Sequence, residues 1–135
     1  MKQDDFLIKQ IDLLGKVLGK ILSDLLKQNS HSEIFDVYNF VQENLKNDLN
    51  IELESLLSFN EKELIAYLSE IQKFENKHIE KIAEILYLFG DQPKNEKTIV
   101  CLEKSLVLYQ YIHSTSTTYS HERVAKIDRI TNFLN

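Results

Sequence analysis

The histidines, a lone cysteine and one carboxylate pattern are the places where this chain could do chemistry. HERVA, residues 121–125, opens like the zinc-protease arrangement, in which two histidines one helical turn apart hold a metal and a glutamate between them acts as base. Ala125 stands where the second histidine would be, so Glu122 has no two-histidine platform beside it. His121 and Glu122 are instead expected in the capping region of the last helix, with Glu122 placing negative charge near the positive end of the dipole. A metal shared by His113 and His121 would have to bridge STSTTYS, and two ligands make a poor site. A partly buried His113 near the end of its helix is the expectation. His78 and Glu80 are two apart on a helix, point in different directions and form no dyad. Cys101 lies in TIVCLEKSLVLY, where a buried, inert thiol is expected.

The phosphate-handling and acyl-transfer signatures do not occur. Gly15, Gly19 and Gly90 are the three glycines, in neither a GxGxxG nor a GxxxxGK arrangement, and there is no GxSxG elbow. No catalytic, cofactor-binding or metal-binding residue is assigned, and an enzyme is not expected. With 16 basic and 21 acidic residues the net charge is −5, the reverse of the field that attracts phosphates, so no nucleic-acid partner is expected. No apolar run reaches the roughly 18 residues of a membrane span. The opening MKQDDF has no signal-peptide pattern, and a cytoplasmic location is expected.

The elements that would position any site read as helices. Hydrophobic residues make up 43% and charged ones 27%, a globular balance, while one proline and three glycines leave little turn material for a sheet. Helix one, about residues 4–27, carries Leu7, Ile11, Leu14, Leu18, Ile21 and Leu25 in alternating steps of four and three. Its apolar arc is wider than the roughly 100° a surface helix needs, which predicts two neighbours rather than one. Ile34, Val37, Tyr38, Val41 and Leu45 mark a second helix, and DLNIELESLLSF reads as an extended link ending in a short helical turn. Asn60 and Glu63 have capping-box spacing ahead of a helix that buries Leu64, Ile65, Leu68 and Ile71. A fifth helix runs to Gly90, its expected stop, and a sixth, about 95–113, is apolar all round and belongs in the middle of a bundle. The last, HERVAKIDRITNFL, has a narrow stripe of Val124, Ile127, Ile130 and Leu134 beside Arg123, Lys126 and Arg129, the pattern of a lid.

Gly15 and Gly19 each cost helix one about 1 kcal/mol relative to alanine, so a close neighbour is expected to offset them. Lys9, Asp12, Lys16 and Lys20 exclude a span despite the GxxxG spacing. Residues 1–28 hold five lysines and four aspartates, too little net charge to favour a membrane surface. A second helix backbone, in the same chain or in a second copy, remains. A homodimer is expected, with Leu7, Ile11, Leu14, Gly15, Leu18, Gly19 and Leu22 in its interface.

Helices five and six resemble a tetratricopeptide hairpin. Ala83, Leu86 and Gly90 in IAEILYLFG match its small, large and turn positions, and Thr98, Leu102, Ser105 and Leu106 match the pattern of its second helix. The connecting loop is longer than the repeat's, and Thr98 and Ser105 replace alanines. Over nearly the whole chain, FLIKQIDLLGKVLGKIL, ENLKNDLNIELESLLSFNEKELIAYL and the hairpin resemble an uncharacterised bacterial family of unknown function. Its members are small, with an amphipathic N-terminal helix and a tetratricopeptide-like C-terminal half. The resemblance implies a fold and no reaction. The expected architecture is an all-α, compact array of six to seven helices in one domain, 1–135, built from an N-terminal helical layer (1–72) and a tetratricopeptide-like hairpin with its terminal lid helix (73–135). The expected function is a non-catalytic protein-interaction module. By resemblance, Lys77, Glu80, Glu84 and Tyr87 would face a groove for a protein or peptide partner, and Leu88 is an apolar residue on that polar side. The alternative is a small-molecule-binding helical bundle with a regulatory role, using Tyr109, Tyr111 or His113.

Overall fold

The computed structural model describes the backbone of residues 2–29 and 36–135 and the side chains of residues 13–27 and 36–135. Among these residues the chain is all-α, with seven helices and no strand. It divides into two compact units, Met1–Ser55 and Leu56–Asn135. That division falls earlier in the chain than the 72/73 boundary drawn from the sequence, because the helix Glu61–Ala66 packs with the helix Glu96–Thr115.

In the first unit α1 (Lys2–Asn29) packs on α2 (Val37–Leu49). Leu18, Ile21 and Leu25 are buried on α1, and Val37, Val41 and Leu45 on α2, each set spaced to put its members on one helical face. Asp36 caps α2 by accepting from the Asn39 amide, 3.1 Å away. The helix ends at Asn50, whose φ of 55° is left-handed. The Asn50 and Ile51 amides then donate to the Lys46 and Leu45 carbonyls and close the last turn. The expected places of Leu7, Ile11 and Ile34 lie outside the described side chains.

The second unit is organised around α6 (Glu96–Thr115), which packs against α4 (Glu61–Ala66), α5 (Asn76–Tyr87) and α7 (His121–Leu134). Its all-round apolarity is used as expected: Cys101, Leu102, Leu108, Tyr109 and Ile112 are buried, along with Thr98 and Ser105. Ser105 donates to the Ala83 carbonyl at 2.7 Å, so the small residues at the α5–α6 crossing bring a hydroxyl against a helix backbone. Asn60 and Glu63 form the reciprocal capping box at 2.8 and 2.9 Å. Of DLNIELESLLSF only residues 50–52 link α2 to the short α3 (Leu53–Ser58), so the extended stretch is shorter than expected and the left-handed Asn50 begins it.

Three expectations need correction. Ile71 is 69% exposed, because α4 passes into a π turn over Tyr67–Ile71, closed by Gln72 donating to the Tyr67 carbonyl. The extra residue per turn rotates Ile71 off the face that Leu64 and Leu68 bury. Gly90 does not stop α5 with a left-handed turn, since no described glycine has positive φ. Instead α5 tightens into a 3-10 turn, Leu88–Asp91, and Gly90 lies against Leu102, whose Cδ2 would sit 3.5 Å from an added Cβ. His113 is exposed, not partly buried.

Candidate functional site

α7 lies along the second unit with its basic edge facing the acidic edge of α5. Three pairings run in step. Arg123 donates from Nε to Glu80 Oε2 at 2.9 Å and from Nη2 to Glu80 Oε1 at 3.4 Å, the two-pronged fit of a guanidinium to a carboxylate. One turn on, Lys126 Nζ is 3.8 Å from Glu84 Oε1 and stands over the rings of Tyr87 and Tyr109, 5.6 and 5.8 Å from their centroids. One turn further, Arg129 donates to the Tyr87 hydroxyl at 2.6 Å. Residue numbers rise together on both sides, so α5 and α7 run in the same direction with α6 returning between them.

Local chemistry sets this register. Ser120 caps α7 by accepting from the Arg123 amide at 3.2 Å, fixing where its first turn begins. His121 and Glu122 are both exposed and flank this cap without supplying it. On α5, His78 Nδ1 accepts from the Glu75 amide at 3.0 Å, and the buried imidazole closes the first turn. At the far end of α7, Lys94 donates to the Phe133 carbonyl at 3.3 Å and lies 5.0 Å from its ring centre.

Beneath the ladder, Tyr109 is fully buried and its ring meets that of Tyr87 edge to face at 6.4 Å. Its hydroxyl has no hydrogen-bond partner among the described residues. Burial, and then the nearby Glu84 and Glu80, push its ionisation far above the ordinary tyrosine range, so it is neutral and no base. A cavity of about 80 Å³ lies further along, lined by Tyr87, Gly90, Leu102, Arg129, Ile130 and Phe133 among others. Ligand pockets span about 300–1,000 Å³. Tyr109, Tyr111 and His113 do not line this one, so the groups proposed for a small ligand do not converge on it.

Of the expected groove residues, Glu80, Glu84 and Tyr87 are brought together, but α7 occupies the face they form. Lys77 is exposed and outside these pairings, and Leu88 is half-buried in the 3-10 turn. Arg123 was assigned from the sequence to the polar edge of the lid; it is 7% exposed and is the most deeply engaged cation of the ladder. The sequence signal is the matched spacing of Glu80, Glu84 and Tyr87 with Arg123, Lys126 and Arg129.

On α1, Leu14, Gly15, Gly19 and Leu22 are partly exposed, while Leu18 is 0% exposed and belongs to the core rather than to a dimer interface. Leu7 and Ile11 lie outside the described side chains. Gly15, Gly19, Leu22 and Leu26 share one flank of the helix, and Leu26 is 49% exposed. An added Cβ at Gly19 would meet no atom within 4 Å among the described residues. Among the described residues, the close intrachain neighbour expected to offset that glycine does not occur.

Cys101 is buried, and burial pushes its thiol up to about 12, so no thiolate is available at neutral pH. Tyr119 stacks edge-on against both His113 and His121, at 6.0 and 4.9 Å between ring centres. No group of three or more His, Cys, Asp or Glu side chains that could hold a metal occurs among the described residues. No helix among them is long and apolar enough to cross a membrane. No protein family, curated protein or solved structure matches the chain.

Proposed function

We propose that the protein is a non-catalytic, cytoplasmic protein-interaction module that self-associates through α1. The observation that carries this reading is the flank of α1 where an added Cβ at Gly19 would meet no atom within 4 Å among the described residues and Leu26 is 49% exposed. Two glycines inside a 28-residue helix cost about 2 kcal/mol together. A second helix backbone laid along Gly15 and Gly19 offsets that cost through close packing. Each leucine fully buried there contributes about 1.5–3 kcal/mol. The tetratricopeptide-like sequence pattern of α5 and α6 supports an interaction role.

Size exclusion coupled to light scattering at tens of micromolar tests the reading, with a dimer as the expected mass. Leu22→Glu with Leu26→Glu should return the monomer with its helical circular dichroism intact. A wild-type monomer would end the proposal. Leu18→Glu is no test of it, because that residue is core and its replacement unfolds α1 from α2.

A further inference from the structure

The lid invites a question of its own, because its seat is strongly complementary in charge and poorly packed. Only Arg123 and Ile130 of α7 are fully buried, while Val124, Ile127, Phe133 and Leu134 of its apolar stripe are half-buried. A cavity of about 80 Å³ remains under its C-terminal half, and the buried Tyr109 hydroxyl under Lys126 is left without a partner. Besides its packing on α6, the helix is held by the ladder of Arg123, Lys126 and Arg129 on Glu80, Glu84 and Tyr87. Elements with few buried apolar contacts open at the low end of a protein's local stability range.

We propose that the face formed by α5 and α6 is a docking site for a basic amphipathic helix of a partner protein, and that α7 is a displaceable occupant that covers it in the free chain. This rests on the interaction-module reading but not on α1. The partner's chemistry follows from what α7 now presents: a helix with cations three residues apart along one edge and an aliphatic stripe beside it. Glu80 takes a guanidinium in the two-pronged geometry, Glu84 with the rings of Tyr87 and Tyr109 takes a second cation, and the Tyr87 hydroxyl accepts from a third. A helix bulkier than α7 would gain on it by filling the space over Tyr87, Gly90 and Leu102 that Ile130 and Phe133 of α7 leave open.

The test adds a labelled peptide of residues 121–134 to the full-length chain. Tethered α7 competes at an effective concentration on the order of millimolar, so the wild type should bind the peptide weakly. Arg123→Glu sets a carboxylate against Glu80 and drives α7 off while leaving the docking face unchanged. Peptide affinity should then rise about tenfold or more, as the competent fraction of the face rises. Lys126→Glu should act in the same direction with a smaller gain. Glu80→Lys with Glu84→Lys should abolish peptide binding. Amide exchange should quicken in α7 and not in α6 for both single variants. The proposal fails if neither single variant gains peptide affinity. It also fails if Arg123→Glu unfolds the second unit cooperatively, since α7 would then be a fixed part of the fold. A chain that dimerises without any peptide gain removes the displaceable lid alone, whereas a monomeric chain with the gain removes the α1 contact alone.

Discussion

Replacing Gly19 by alanine separates the stability of the chain from its self-association, because the two effects have opposite signs. Gly19 sits inside α1 with no positive φ, and an added Cβ meets no atom within 4 Å among the described residues. The substitution therefore adds helix propensity and restricts the unfolded chain without a steric cost. Both terms together stabilise by about 0.5–1 kcal/mol. For a chain of this size that raises the melting temperature by about 2–6 °C. At concentrations low enough for monomer, urea unfolding followed by circular dichroism should show the gain as a higher midpoint with an unchanged slope. The dimer should respond the other way. A methyl group inserted where two helix backbones approach overpacks the contact by about 1–3 kcal/mol, a dimer weaker by about 5- to 150-fold in Kd. A destabilised monomer would refute the open flank. A dimer left unchanged or tightened would refute the placement of the interface on that flank.

Arg123→Ala should destabilise the second unit by about 1–3 kcal/mol, because it leaves Glu80 facing a desolvated site, whereas Lys126→Ala should cost about 0–1 kcal/mol; equal losses in denaturant titrations would contradict the difference in burial. Tyr109→Phe removes a buried hydroxyl without a partner and should leave stability unchanged or raise it by about 1 kcal/mol, and a loss in the same assay would show the hydroxyl to be bonded. Cys101 should resist alkylation at pH 8 until the chain unfolds. Its thiol ionises near 9.0 when free and near 12 when folded, so between those values the unfolded chain holds fewer protons and stability falls as pH rises. The slope from this group approaches about 1.4 kcal/mol per pH unit, and Cys101→Ala should remove that part of it.

Much of the helical framework was legible because local chemistry alone decides it. Asn60 and Glu63 satisfy each other's backbone donors whatever packs above them, and a sixth helix with apolar side chains all round has nowhere to go but the centre. Ile71 escaped the same reading because a π turn changes the angular step, and nothing in the period of Leu64, Ile65 and Leu68 announces the extra residue. Gly90 reads as a left-handed stop from its position, but the chain tightens into a 3-10 turn instead, where a side chain's Cβ would make only ordinary contact with Leu102. Gly19 misled in the opposite sense. A glycine inside a helix has no obligatory close neighbour, and none of the described residues lies within 4 Å of an added Cβ at this position.

The candidate site was half visible for a related reason. Charges three or four apart along a helix read identically whether they face water or an opposite charge; the tetratricopeptide resemblance places Glu80, Glu84 and Tyr87 on a groove, and the narrow apolar stripe places Arg123 on the edge of a lid. What distinguishes the two cases is a second stripe of opposite sign, at matching spacing, on a helix that runs the same way. Helices five and seven meet that condition because one antiparallel helix separates them in sequence. Arg123 can then be 7% exposed without an unpaired charge, since Glu80 meets both prongs of its guanidinium and the Thr118 carbonyl accepts another donor at 3.4 Å. A contact held that way is specific in register, and the same charge pattern on a partner's basic helix is what would let it take the place of α7.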